Sequence, residues 1–375
     1  MSPKLAGNPM HFGLNDDQQS ICTSVRRFLV RSGELKAAEA CYEEGTGAEI
    51  WAGLATELGL GGLLVGEEFG GMGLDIVTLA SVMEELGRVV APGPLLATAL
   101  GAMALGEGPK SAAAATWLPQ IAEGTVAAAL ACEPDGRAGL RWWMEEGRIR
   151  LEGRAGQVIE GAAAGLLVVA AKGDSGTLLV ALTPDHEGVE VVNRPTMDRS
   201  RNLAMLEVNT SVTEEAVIVG AEGGAAALAR VLQRGAILLA AEALGGAQRC
   251  MDISVEYAKV RVQFGRPIGS FQSIAHKCAD MLVKVESARS AVMYAAWAAD
   301  SGGDDLLSVS SLAKSYAAEA YYRVAGSMIQ VMGGIGFTWE HEAHLHFKRA
   351  RASQQLLGST EHHREQLAAM LLDEA

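Results

Sequence analysis

The chain has 375 residues, and its 31 lysines and arginines against 45 acidic residues leave a formal charge of −14. That balance excludes a general nucleic-acid binder, because phosphate backbones are held by basic patches. Hydrophobic residues at 49% and charged residues at 20% exclude a disordered chain, and aromatics at only 5% favour closely packed helices over an aromatic-rich all-β fold.

Length sets an expectation of two or three domains at roughly 150 residues each, and the periodicities divide the chain into three. Residues 1–118 read as an N-terminal α-helical domain. Asn15 or Asp16 caps a first helix whose apolar residues Ile21, Val25, Phe28 and Leu29 follow helical spacing. Trp51, Leu54 and Leu58, then Leu79, Val82 and Leu86, continue the pattern. Between them lies GLGGLLVGEEFGGMGLD. Its glycines imitate a phosphate loop, but no strand-turn-helix frame surrounds them, so a connecting loop with glycines at positive φ is expected.

Residues 119–220 change to a period of two and read as a middle antiparallel β domain. Strands are expected at 148–151, 157–159, 166–171, 177–182, 189–192 and 203–208, separated by KGDSG, TPDHEG and DRSRN. Residues 221–375 return to helix, with long helices expected at about 224–258, from 271 onward, and at about 304–332. From Phe271 the apolar residues fall at 271, 274, 278, 281, 285, 288, 292 and 295, with steps alternating three and four as in a repeat of period 3.5. Such a seam packs at a shallow angle, as in a four-helix bundle. The fold class is therefore α+β, mainly α.

The five cysteines form no CxxC pair, which points away from a disulfide framework or zinc ribbon and towards a reducing cytoplasm. The first residues lack an apolar signal core, and no apolar stretch is expected to reach the ~20 residues of a membrane span. In HEAHLH (341–346) the histidines stand three and two apart, not the four apart of a zinc metalloprotease helix, so no metal is expected. His362 and His363 point to different sides of a helix, and no GxSxG elbow occurs.

Two stretches carry more information: RVQFGRPIGSFQSIAHKCADM (261–281) and QVMGGIGFTWEHEAHLHFKRARASQQLLGST (330–360). An Arg-x-x-Phe-Gly, a Phe-Gln soon after and a distant Gln-x-x-Gly-Gly-x-Gly together resemble the acyl-CoA dehydrogenase family. FGLNDDQQSICTSVRRFL resembles that family's opening helix, LGLGGLLVGEEFGGMGLD its first loop, and ACEP (131–134) its T-E-P flavin loop. The resemblance implies FAD between the β domain and the C-terminal helices, with its pyrophosphate and adenine reaching a neighbouring subunit. It assigns Arg261 to the pyrophosphate, Phe264 to the adenine end, and Gln330 with Gly334 to pyrophosphate and ribose. An arginine supplies a fixed fork of donors to phosphate, and glycine lets backbone N–H groups approach an anion.

The chain departs from the family where the chemistry occurs. The family's α-proton base is a glutamate at one of two seats, and here those seats hold Leu357 and Gly235. A leucine or a glycine side chain has no lone pair to accept a proton. The flavin-bonding threonine matches Cys132, the glycines and serine after it match Asp135, Gly136, Arg137 and Ala138, and the Trp-x-[ST] patch matches Gln157, Val158 and Ile159. The positions kept are those offered to a neighbour, and the positions lost serve the chain's own flavin and substrate. The resemblance therefore implies the base-deficient subunit of a heterotetrameric (α2β2) dehydrogenase, sharing FAD at an interface. Its implied partners are an acyl-CoA thioester, a second dehydrogenase-like chain and an electron-transfer flavoprotein. Three other readings stay open: a homotetramer with a base relocated to Glu242 or Glu361, a flavin-free acyl-CoA-binding or assembly protein, and a flavin monooxygenase.

Overall fold

The computed structural model describes residues 13–33, 35–43, 48–133, 135–302 and 305–373. The first twelve residues, Pro134 of the ACEP loop and Asp304 at the expected start of the third long helix lie outside the described residues. Helices come first: α1 (Asp16–Arg31), α2 (Lys36–Glu43), α3 (Ala48–Ala52), α4 (Ile76–Arg88), α5 (Leu95–Gly106) and α6 (Ala112–Ala122). Asn15 caps α1 reciprocally. Its side chain accepts from the Gln18 N–H at 2.8 Å, and the Gln18 side chain accepts from the Asn15 N–H at 3.0 Å. The glycine-rich segment is a loop with two short 3-10 turns, and Gly59 and Gly70 take positive φ there.

The strands are β1 (Ala128–Ala131), β2 (Leu140–Glu145), β3 (Arg148–Ile159), β4 (Leu166–Gly173), β5 (Gly176–Leu182), β6 (Val189–Arg194), β7 (Leu203–Val212) and β8 (Val217–Val219). They form one sheet in the order β6-β7-β3-β2-β4-β5-β8, with β1 beside β4. The sheet is mixed rather than purely antiparallel, because β1 and β2 both run parallel to β4. β1 reads Ala-Ala-Leu-Ala and is buried throughout, so it carries none of the alternation by which the other strands were legible. The two short strands expected at 148–151 and 157–159 are one strand, interrupted by an irregularity between Ala155 and Val158.

The remaining elements are α7 (Ala221–Val260), the short strands β9 (Val262–Gln263) and β10 (Arg266–Pro267), α8 (Gln272–Ser301), α9 (Leu306–Met332), α10 (Ala343–Ser353) and α11 (Thr360–Asp373). α7, α8 and α9 pack on one another, α10 and α11 lie against α9, and α4 crosses α7. By length and composition α7 could cross a membrane, which corrects the expectation that no stretch would, but most of its apolar window is buried inside the protein. The α4–α7 crossing is close enough to demand glycine: a Cβ on Gly87 would lie 2.0 Å from the Glu242 carbonyl oxygen, and one on Gly245 would lie 1.9 Å from that of Glu84. The 3.5-residue seam of α8 is buried at Met281, Val285, Ala288, Val292 and Ala295, but only partly covered at Phe271, Ile274 and Cys278.

One polar cluster joins these parts. Arg349 of α10 is 1% exposed. Its Nε donates to Asp198 at 2.7 Å, one Nη donates to Glu242 of α7, and the other donates to the Ser200 carbonyl at 2.9 Å. Arg201 donates to the second oxygen of Glu242. Two carboxylates and two guanidiniums are thus buried together between the β6–β7 connection and the C-terminal helices. Removing one partner of such a group leaves an uncompensated buried charge and costs about 3–5 kcal/mol. Arg349→Met is therefore expected to lower the unfolding free energy in urea by about that amount; a loss within 1 kcal/mol would show that the cluster does not hold the sheet to the helices.

Candidate functional site

Gly235 and Leu357, 122 positions apart, face each other across the interior. A Cβ built on Gly235 would lie 2.4 Å from Leu100 Cδ2 and 3.2 Å from Leu357 Cδ1. Leu100, on α5, thus fills the space that a side chain at 235 would need. Leu357 sits at φ +53 and Gly358 at φ +90 in the turn between α10 and α11. Basic groups hold that turn from below. The imidazole Nε2 of His363 is 2.8 Å from the Leu357 carbonyl, and Lys314 Nζ donates to the carbonyls of Ser353 (2.8 Å) and Gly358 (3.4 Å).

Leu100, Cys132, Gln157, Ile159, Leu232 and Leu357 converge on one spot, together with Leu130, and leave a cavity of about 20 Å³. That holds about one water. Of the residues expected beside the isoalloxazine, Cys132, Gln157 and Ile159 come together here, and three fused rings do not fit between them. Asp135 and Gly136 line a separate pocket of about 240 Å³ on the other side of Leu357, with Gly358, His362 and His363. The Cys132 thiol, fully enclosed, is pushed by burial up to about 12 and stays neutral.

The two alternative carboxylates lie in opposite surroundings. Burial acts to raise the Glu242 carboxyl, but Arg201 and Arg349 outweigh it and hold it below the usual carboxylate range. Both of its oxygens are occupied. Glu361 is fully exposed on the first turn of α11, and its own backbone N–H and the Ser359 hydroxyl lower its pKa.

The other expected residues lie in a different place. Arg261, Phe264 and Gly334 line one open groove of about 490 Å³, with Tyr257, Phe271 and Gly333. Gln330 is exposed on the last turn of α9, outside the groove lining. β9 and β10 form a two-residue hairpin, whose turn residues Phe264 (φ +51) and Gly265 (φ +77) both have positive φ, as a type I′ turn requires. A bulky residue there costs of order 1–3 kcal/mol of backbone strain, and the ring it presents is 92% exposed. The Arg261 side chain forms no ion pair among the described residues. Gly333 has φ +63, and Cβ atoms on Gly333 and Gly334 would meet nothing within 4 Å. A free guanidinium, accessible glycine backbone and an exposed phenyl ring fit the phosphate- and adenine-bearing arm of FAD.

Sequence reasoning missed Leu100 and Lys314, and named His363 only as one of a histidine pair that cannot jointly hold a metal. A lysine inside the apolar run SLAKSYAAEA was the available signal for Lys314; nothing local marks Leu100, which matters only through its contact with Gly235. Lys314 titrates at about 7 rather than 10.5 because it is buried, and burial brings His363 down to about 4 from 6.5. In both windows the unfolded chain binds the extra proton, so stability rises with pH. The stability difference between the wild type and Lys314→Met should therefore climb from pH 7 to about 10. That between the wild type and His363→Gln should fall as pH drops from about 6.5 to 4. Flat differences in urea titrations would contradict these burial effects.

Residues 15–125 match the family model for the acyl-CoA dehydrogenase N-terminal domain, and residues 222–372 match that for the C-terminal domain. Acyl-CoA dehydrogenase IpdE2 of Mycobacterium tuberculosis is 37% identical over 92% of this chain and 94% of its own length, and IpdE2 of Mycolicibacterium smegmatis is 34% identical over 94% and 97%. The structure of butyryl-CoA dehydrogenase from Megasphaera elsdenii superposes with a TM-score of 0.90 at 26% identity, covering 97% of this chain and 100% of that one. The ChsE4-ChsE5 complex from Mycobacterium tuberculosis gives 0.87 at 25% identity, over 97% and 99%.

Proposed function

The chain belongs to the acyl-CoA dehydrogenase family, and from that premise we propose that it is the subunit of a heteromeric FAD-dependent acyl-CoA dehydrogenase that lacks its own base. Its role is to lend FAD contacts across an interface to a second dehydrogenase-like chain. One contrast carries this reading: Leu100 and Leu357 fill the chain's own base seat and the space beside Cys132, Gln157 and Ile159, while the Arg261 groove stays open and its guanidinium forms no ion pair among the described residues.

FAD, when bound, supplies the acceptor for the hydride that leaves the thioester β-carbon. This chain's residues act on the other end of it. Arg261 would hold phosphate oxygens with its fork of N–H donors, in a charge-assisted bond stronger than a neutral one. Gly333 and Gly334 would let backbone N–H groups close on the same anion. Phe264 would cover a planar ring, which explains why a strained turn keeps a phenylalanine in water. The α-proton would be taken by a carboxylate of the partner chain, because Leu357 and Gly235 offer none. The ChsE4-ChsE5 complex is a related assembly of two chains and supports a heteromeric arrangement. The reading extends to a cytoplasmic setting, an acyl-CoA thioester as substrate and an electron-transfer flavoprotein as reoxidant.

Expressed alone, the chain is expected to be colourless and inactive on acyl-CoA. Expressed with its partner it should give a yellow complex with fewer flavins than chains. Arg261→Ala in that complex should weaken FAD binding by about 1.5–3 kcal/mol, roughly 10- to 150-fold. A yellow lone chain that oxidises acyl-CoA, or unchanged flavin affinity in the Arg261 variant, would overturn the assignment.

A further inference from the structure

The histidine-rich stretch 341–346 takes no part in either site above. Its middle histidine belongs to a cluster on the surface where α2, the β6–β7 connection and α10 meet. Lys348 Nζ lies 4.1 Å from the centre of the Trp339 ring, 4.4 Å from that of Tyr42, and 3.4 Å from His344 Nδ1. His344 packs at 4.6 Å against Trp339. Arg199 donates to the Tyr42 carbonyl at 3.1 Å, and its guanidinium stands 6.0 Å from the Tyr42 ring.

Two features of this cluster leave room for a ligand. Lys348 and Arg199 form no ion pair among the described residues, in a chain with 45 acidic residues against 31 basic ones. Trp339 is 71% exposed, although an indole in water forfeits most of its burial energy. Two cations with no direct ion pair, though Asp198 lies near enough to act on the Lys348 ammonium, stand beside an aromatic ring open to solvent and match an anion that carries a flat ring. Bases stack on such faces, and phosphates take hydrogen bonds from lysine and arginine.

We propose that Trp339, Lys348 and Arg199 form a binding site for a phosphorylated adenosine group, separate from the Arg261 groove. The base stacks on the exposed part of the Trp339 ring, and the phosphate pairs with the two cations. Tyr42 and His344 fix the indole and the ammonium in place and need not touch the ligand. The site does not depend on the subunit role proposed above. The group has two sources of the same chemistry, free adenine nucleotides and the nucleotide end of a coenzyme A thioester.

Isothermal titration of the full chain with AMP, adenosine 3′,5′-bisphosphate and inorganic phosphate at low ionic strength tests this. Saturable binding of the nucleotides is expected, at least about fivefold weaker in Trp339→Leu and in Lys348→Met, with circular dichroism spectra unchanged. Arg199→Gln, at an exposed position, serves as a third variant should either of those fold poorly. Tighter binding of the bisphosphate assigns the site to the coenzyme A end, and equal binding assigns it to free nucleotides. The proposal is overturned if neither nucleotide binds saturably, if inorganic phosphate binds as tightly as AMP, or if the variants that fold bind like the wild type.

Discussion

The buried Arg349 guanidinium is the interaction on which the arrangement of this molecule rests. Burying Asp198 and Glu242 without a cation would cost several kcal/mol each, and Arg349, with Arg201, is what permits it. Because its partners come from the β6–β7 connection and from α7, the ion cluster fixes α10 relative to both. The turn that follows α10 carries Leu357, so the same clamp sets that leucine against Gly235 and Leu100. The position of the occluded seat is a consequence of the charge cluster, and Glu242, which sequence spacing left open as a base, is consumed in building it.

The two halves of the site obey different constraints. Inside, close packing dominates: a space that admits about one water cannot also hold a flavin ring, and a glutamate at 235 would collide with Leu100. Outside, the Arg261 groove has what a buried core avoids, namely an unpaired cation, a strained phenylalanine and bare glycine backbone. A chain that bound its own flavin would show the reverse pattern at the inner site. The half-covered start of the α8 seam contributes Phe271 and Ile274 to the same groove, which agrees with a neighbour completing it.

Much of this was legible in the sequence. The long helices and the change of period in the middle of the chain follow from local pattern, because each depends on residues near it in the chain, whereas Arg261, Phe264, Gly334, Leu357 and Gly235 were named through the family resemblance. What was not legible depends on contacts between distant segments. β1 is buried on both faces and has no alternation to read. The unity of β3 depends on its pairing with β7 across an irregularity. Leu100 acquires meaning only when α5 meets α7, and Lys348 only when α2 brings Tyr42 alongside it.

The division of labour is tested most directly by a structure of the flavin-loaded complex of this chain with its dehydrogenase-like partner. The adenine and pyrophosphate of FAD should lie against Phe264 and Arg261 of this chain, with the isoalloxazine inside the partner and the space between Leu100, Cys132 and Leu357 closed. An isoalloxazine resting against Leu357 and Cys132 would contradict it.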